Sequence, residues 1–96
     1  MESDDAVVAC QAALSHALRY RQSLASRPVG ALASGEEVLA SLAPLEDLPA
    51  GGLRAAEVIE ELVALAGPGL TAMSGPRFFG WVTGGTLPSA LAADWL

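Results

Sequence analysis

The stretch Gly75-Pro76-Arg77-Phe78-Phe79-Gly80-Trp81-Val82-Thr83-Gly84-Gly85-Thr86-Leu87-Pro88-Ser89-Ala90-Leu91-Ala92-Ala93-Asp94-Trp95-Leu96 decides how this chain is read. It holds both phenylalanines and both tryptophans, an adjacent pair of glycines and the first turns of a helix. Phe78 to Val82 suits a short extended segment, and Gly84-Gly85 suits a turn. Thr86, with Pro88 in the first helical turn, opens the last helix, because the fixed φ of proline is already that of a helix start. The sequence stops in mid-helix. An aromatic wall with no reactive group set against it is expected to be one side of a larger site.

Working outward from this stretch, the residues before it read as three helical blocks divided by breakers. Asp4 or Asp5 is expected to cap a first helix whose seam runs through Val7, Cys10, Leu14, Ala17 and Leu24, a heptad-like spacing on one face. That helix should end before Pro28, since proline pushes the residue preceding it out of the α region. Ser34-Gly35-Glu36-Glu37 is a capping box opening a short helix through Leu39 and Leu42, stopped by Pro44. Pro49-Ala50-Gly51-Gly52 is a turn, and a third helix spans about Leu53 to Ala66 with Gly67-Pro68-Gly69 as its stop. The expected fold class is mainly α: about four helices plus one short extended aromatic segment.

Ninety-six residues allow one small domain at most, and such a chain buries only about two-thirds of its unfolded surface. Hydrophobic residues make up 52% of it. The excess, mostly Ala and Leu, favours helix and fits either a compact bundle or a piece that hides apolar surface against a partner. A net charge of −6 is the wrong sign for a phosphate backbone, so nucleic-acid binding is disfavoured. The five basic residues are all arginines, and lysine is absent from the sequence. One cysteine, Cys10, and one histidine, His16, cannot form a disulfide or a His/Cys metal site within the chain. The acidic start lacks the positive region of a secretory signal, and Gly and Pro interrupt every apolar run. A soluble cytoplasmic protein without a membrane span is expected.

Single residues upstream have ordinary explanations. Ser15 and His16 point about 100° apart on a helix and do not form a nucleophile–base pair, so His16 reads as a surface residue. Glu36-Glu37 and Glu60-Glu61 read as solvated helix faces rather than paired catalytic carboxylates. Tyr20-Arg21 and Arg27 suit stabilisation of a helix C-terminus.

The aromatic segment has two readings. Arg77-Phe78-Phe79-Gly80-Trp81-Val82 matches the RNP1 strand of RNA-recognition motifs at all but its second position. That domain needs a four-stranded sheet, whereas everything before Phe78 reads as helix, and its charge is of the opposite sign. The second reading covers more residues. Pro76 through Val82, followed by Gly84-Gly85-Thr86-Leu87-Pro88-Ser89-Ala90-Leu91-Ala92-Ala93-Asp94-Trp95-Leu96, closely resembles the N-terminal part of the pyridoxal-phosphate-dependent decarboxylases of the aromatic-amino-acid and glutamate group, which have fold type I. Many members carry His where this chain has Gly75. Tyr20-Arg21, Arg27-Pro28-Val29, Leu48-Pro49 and Val58-Ile59 follow the family order more loosely.

The resemblance implies that residues 1–75 form an N-terminal helical dimerisation segment and 76–96 the start of the decarboxylase domain of an α/β parent. It implies that Phe79, Trp81, Val82, Thr83 and Gly84 line a substrate pocket, with Gly84 and Gly85 allowing close backbone approach. For Arg77 an ion pair with a structural role is expected rather than a substrate carboxylate. In that family a lysine forms a Schiff base with pyridoxal 5'-phosphate and an aspartate holds the pyridine nitrogen protonated. Asp94 and His16 do not match the family's cofactor-binding positions, and no lysine is present. The expectation is therefore an inert N-terminal part of a homodimeric amino-acid carboxy-lyase, with no catalytic, cofactor-binding or metal residue of its own. Its partners would be the remainder of the parent and a second subunit. The alternative is a self-standing helical interaction protein.

Overall fold

A computed structural model describes residues 2–45, 50–80 and 84–96. Four helices follow in order: α1, Glu2–Ser23; α2, Gly35–Leu42; α3, Ala55–Ala66; and α4, Pro88–Asp94. Short 3-10 turns occupy Ala43–Leu45 and Gly67–Gly69. The described residues contain no strand. The mainly α expectation holds. Phe78 and Phe79 are irregular and Gly80 lies at a bend, while Trp81 and Val82, the rest of the expected extended segment, fall outside the described residues.

The breakers act as their chemistry dictates. Ser34 Oγ accepts a bond from the Glu37 amide at 3.1 Å, and Glu37 Oε1 accepts one from the Ser34 amide at 3.1 Å, completing the box that starts α2. Pro44 converts the end of α2 into a 3-10 turn. Gly52 adopts φ 68° ahead of α3, a conformation that costs other residues about 1 kcal/mol or more. Pro88 takes the first turn of α4, but the residue before that helix is Leu87 rather than Thr86, with no side-chain cap.

Asp5 does not cap α1, which already begins at Glu2. Instead the Asp5 carboxylate accepts a bond from the Ala55 amide at 3.4 Å, at the start of α3, where Arg54 offers no capping side chain. At its other end α1 stops at Ser23, short of Pro28. There the hydroxyls of Ser23 and Ser26 donate to main-chain carbonyls one turn back, at 2.7 and 3.3 Å, and compete with helix continuation.

The largest helix contact is between α1 and α3. It uses a face of α1 opposite to the expected seam. Asp5, Ala9, Ala12, Ala13, His16 and Tyr20 are half-buried, whereas Val7 is 54% exposed, Leu14 41% exposed, and Cys10 and Ala17 are exposed. Of the expected seam only Leu24 is half-buried. Three small alanines at helical spacing let α3 approach closely, and a polar pair, His16 with Glu60, joins the helices. The heptad of larger apolar residues is left facing outward.

The connecting segments complete the frame. Ser41 Oγ donates to the Val38 carbonyl at 2.8 Å and lies 3.5 Å from that of Leu65, where α2 meets the end of α3. The Ala33 amide donates to Pro68 at 2.9 Å and the Ala72 amide to Val29 at 2.8 Å. Among the described residues Ala72 alone is buried, at 2% exposure. The accessible surface is 7336 Å², against about 5,200 Å² for a compact monomer of this mass. The radius of gyration is 15.6 Å, against about 12.5 Å for a compact domain of this length. α4 stands clear of the other helices. Among the described residues no helix is long and apolar enough to cross a membrane.

Candidate functional site

The segment that follows α3 returns across the C-terminal end of α1, and that crossing carries the polar contacts of the aromatic motif. Tyr20 hydroxyl donates to the Thr71 carbonyl at 3.4 Å. Arg21 Nη2 donates to the Thr86 carbonyl at 2.6 Å. Arg77 Nη2 donates to the carbonyl of Arg27. The guanidinium of Arg27 lies over the Tyr20 ring, 4.4 Å from its centroid, a cation–π stack. The last turn of α1 and the residues just after it therefore grip both flanks of the motif. The ion pair expected of Arg77 is not formed among the described residues, where Arg77 meets a main-chain carbonyl. Arg21 lies in the last turn of α1, as expected for stabilising that end, and also reaches the Thr86 carbonyl, while Arg27 lies past the helix over the Tyr20 ring.

Close backbone approach occurs in this region, though not at the double glycine. A Cβ at Gly75 would stand 3.1 Å from the Leu24 carbonyl oxygen and 3.2 Å from that of Ala72. A side chain there would crowd the end of α1. At Gly84 a Cβ would meet nothing within 4 Å, and at Gly85 only the Ser74 carbonyl at 3.6 Å. Neither forms the expected turn, for both lie in irregular, exposed chain.

Of the expected pocket residues, Phe79 is 92% exposed and Gly84 is exposed. Trp81, Val82 and Thr83 lie outside the described residues. Phe78 is half-buried, its ring folded back so that a Cβ at Gly80 would lie 2.9 Å from Cζ. Two concavities of the molecule lie elsewhere. One, of about 690 Å³, is bordered by Asp4, Asp5, Gly52, Leu53, Arg54 and Glu57. The other, of about 370 Å³, is apolar and runs between α2 and Ala66–Leu70. Neither is lined by Phe79 or Gly84.

A second polar cluster joins α1 to α3. His16 Nε2 is 2.7 Å from Glu60 Oε2, and His16 Nδ1 is 2.9 Å from Arg19 Nη2, while Arg19 Nη1 donates to Ser15 Oγ at 3.0 Å. A guanidinium has no acceptor, so Nδ1 must accept, and the ring proton sits on Nε2 facing the carboxylate. Sequence reading treated His16 as an isolated surface residue. Its partner lies 44 residues away, and no local signal marks it.

Pyridoxal 5'-phosphate does not fit this chain on its own residues. Covalent attachment needs a lysine, which the sequence lacks. The one carboxylate of the aromatic motif is Asp94, at the far end of α4. What the arrangement offers is an outward aromatic side chain beside a set of arginines held in place. No family model matches the chain, and no curated protein and no solved structure is significantly similar to it.

Proposed function

We propose that this chain is the N-terminal helical part of a cytoplasmic pyridoxal-phosphate-dependent amino-acid decarboxylase. In this reading it supplies contacts to a second subunit and one wall of the substrate pocket, and the reactive lysine belongs to the remainder of the parent. The observation that carries the reading is the residue order from Pro76 through Val82 and from Gly84 through Leu96.

Two features support it. Phe79 projects from a segment anchored on both sides, as a wall residue awaiting its opposite face would. Val7, Leu14, Leu62, Leu87 and Trp95 leave more apolar surface open than a self-sufficient domain leaves. In a closed pocket the part played by Phe79 and the motif around it is to exclude water and bound the substrate side chain, which raises the energy of a carboxylate relative to neutral CO₂. A second reading, a helical interaction protein without catalysis, draws on the outward seam of α1, which asks for an apolar partner whatever the motif does.

The coding frame beyond Leu96 separates the two. Continuation into a lysine-bearing α/β domain, with CO₂ release from an amino acid by the full-length protein, is expected. In that protein Phe79→Ala should lower kcat/KM by about tenfold or more. A stop codon directly after Leu96 would overturn the decarboxylase reading in favour of the second. For the 96-residue chain itself, pyridoxal phosphate followed by borohydride should fix no cofactor beyond reaction at the N-terminal amine.

A further inference from the structure

Two long stretches of the sequence, residues 14–35 and 62–93, contain no Asp or Glu. The fold lays these two stretches against each other, through Ala33 to Pro68, Val29 to Ala72, Tyr20 to Thr71 and Leu24 to Gly75. The consequence is electrostatic. Arg21, Arg27 and Arg77, three of the five basic residues in a chain of net charge −6, lie around the end of α1, and among the described residues no carboxylate stands within 4.0 Å of them. Among the described residues the one ion pair within 4.0 Å is His16–Glu60, which joins α1 to α3 one turn before Tyr20.

Each of these arginines is held without being neutralised. Arg21 and Arg77 each commit a nitrogen to a main-chain carbonyl, and Arg27 commits its flat face to Tyr20. A guanidinium carries five N–H donors, so most of the donors, including the edge of Arg27, remain for another acceptor. Holding the side chains in advance removes much of the rotamer entropy that a free arginine loses on binding. Like charges gathered on one part of the surface repel, a cost that a bound anion relieves.

We infer that this end of α1 binds a small oxyanion, a phosphate or carboxylate group, held chiefly by Arg27 and Arg77 with Arg21 at the margin. The inference does not use the decarboxylase reading: all three arginines fall in segments that follow the family order, but none of them is an expected wall residue. A polyanion such as RNA is a poor occupant: three arginines offer few phosphate contacts, and the acidic remainder of the chain repels the rest.

The test is a titration of the ¹⁵N-labelled chain, followed on backbone amides and arginine Nε–H signals at constant ionic strength set with chloride. One arm uses inorganic phosphate and the other succinate; the arm that saturates at lower concentration names the group. Saturable shifts confined to Arg21, Arg27, Arg77 and their neighbours are expected. Arg27→Gln or Arg77→Gln should weaken binding about tenfold, while Arg27→Lys, which keeps the charge and loses the fork, falls between. Arg19→Gln and Arg54→Gln should leave the affinity unchanged, and the helical circular dichroism of every variant checks that it is folded. Shifts linear in concentration in both arms, or equal at Arg19 and Arg54, would overturn the site. So would sedimentation showing that the anions act only by dispersing an oligomer, since the occupant is then a carboxylate of a second copy.

Discussion

Gly75 is the residue whose identity the surrounding backbone dictates most plainly. The oxygens facing its missing Cβ belong to main-chain carbonyls, of Leu24 and Ala72, so relief requires moving the end of α1 or the turn itself. Gly75→Ala should destabilise the chain by about 1–3 kcal/mol, measured as a shift of the urea midpoint. Gly84→Ala, in open space, should change stability by less than about 0.5 kcal/mol. Equal effects at the two positions would mean that the motif does not rest on α1 as described. The comparison also shows where residue-level reading fails. The double glycine stands out in the sequence, yet the glycine crowded by backbone is the single one before Pro76, because crowding is a property of what lies across the chain.

At the scale of elements, the starts and stops were legible and the packing faces were not. The capping box at Ser34–Glu37, the stop at Pro44, the Gly67-Pro68-Gly69 terminator and Pro88 act through bonds within a few residues, so their meaning survives without knowledge of the fold. The face that α1 presents to α3 is decided by α3. Ala9, Ala12 and Ala13 give a surface on which a second helix can lie close, and the larger residues at Val7, Leu14 and Leu18 face away. Asp5 shows the same limit, since its carboxylate serves the start of a helix 50 residues further on. The polar joint between the two helices carries its own prediction. Imidazole ¹⁵N shifts at neutral pH should report the Nε2–H tautomer of His16. A double-mutant cycle of His16→Ala with Glu60→Ala should give a coupling of about 0.2–1 kcal/mol, as befits a pair with Glu60 largely exposed. An Nδ1–H tautomer, or no coupling, would show that Arg19 and Glu60 do not orient the ring.

At the scale of the whole molecule, the chain has secondary structure in excess of core. Its surface of 7336 Å² exceeds that of a compact monomer by about 2,100 Å², more than the roughly 800 Å² per partner of an ordinary stable interface. The surplus is apolar in the places that matter: the outer face of α1, Val58 and Leu62 on α3, and Leu87, Trp95 and Leu96 around α4. Composition indicated this in advance, because 52% hydrophobic residues in 96 positions are hard for one small domain to cover. It could not say which surfaces stay open, since that follows from the alanine face of α1 taking the place of the heptad. The central claim is that this apolar surface belongs against another polypeptide. Sedimentation velocity of the purified chain over a hundredfold range of concentration tests it most directly. Association that grows with concentration, and that weakens when Val7 and Leu14 are replaced by serine without loss of helical signal, is the predicted result. A single monomeric species at every concentration, unchanged by those substitutions, would contradict it.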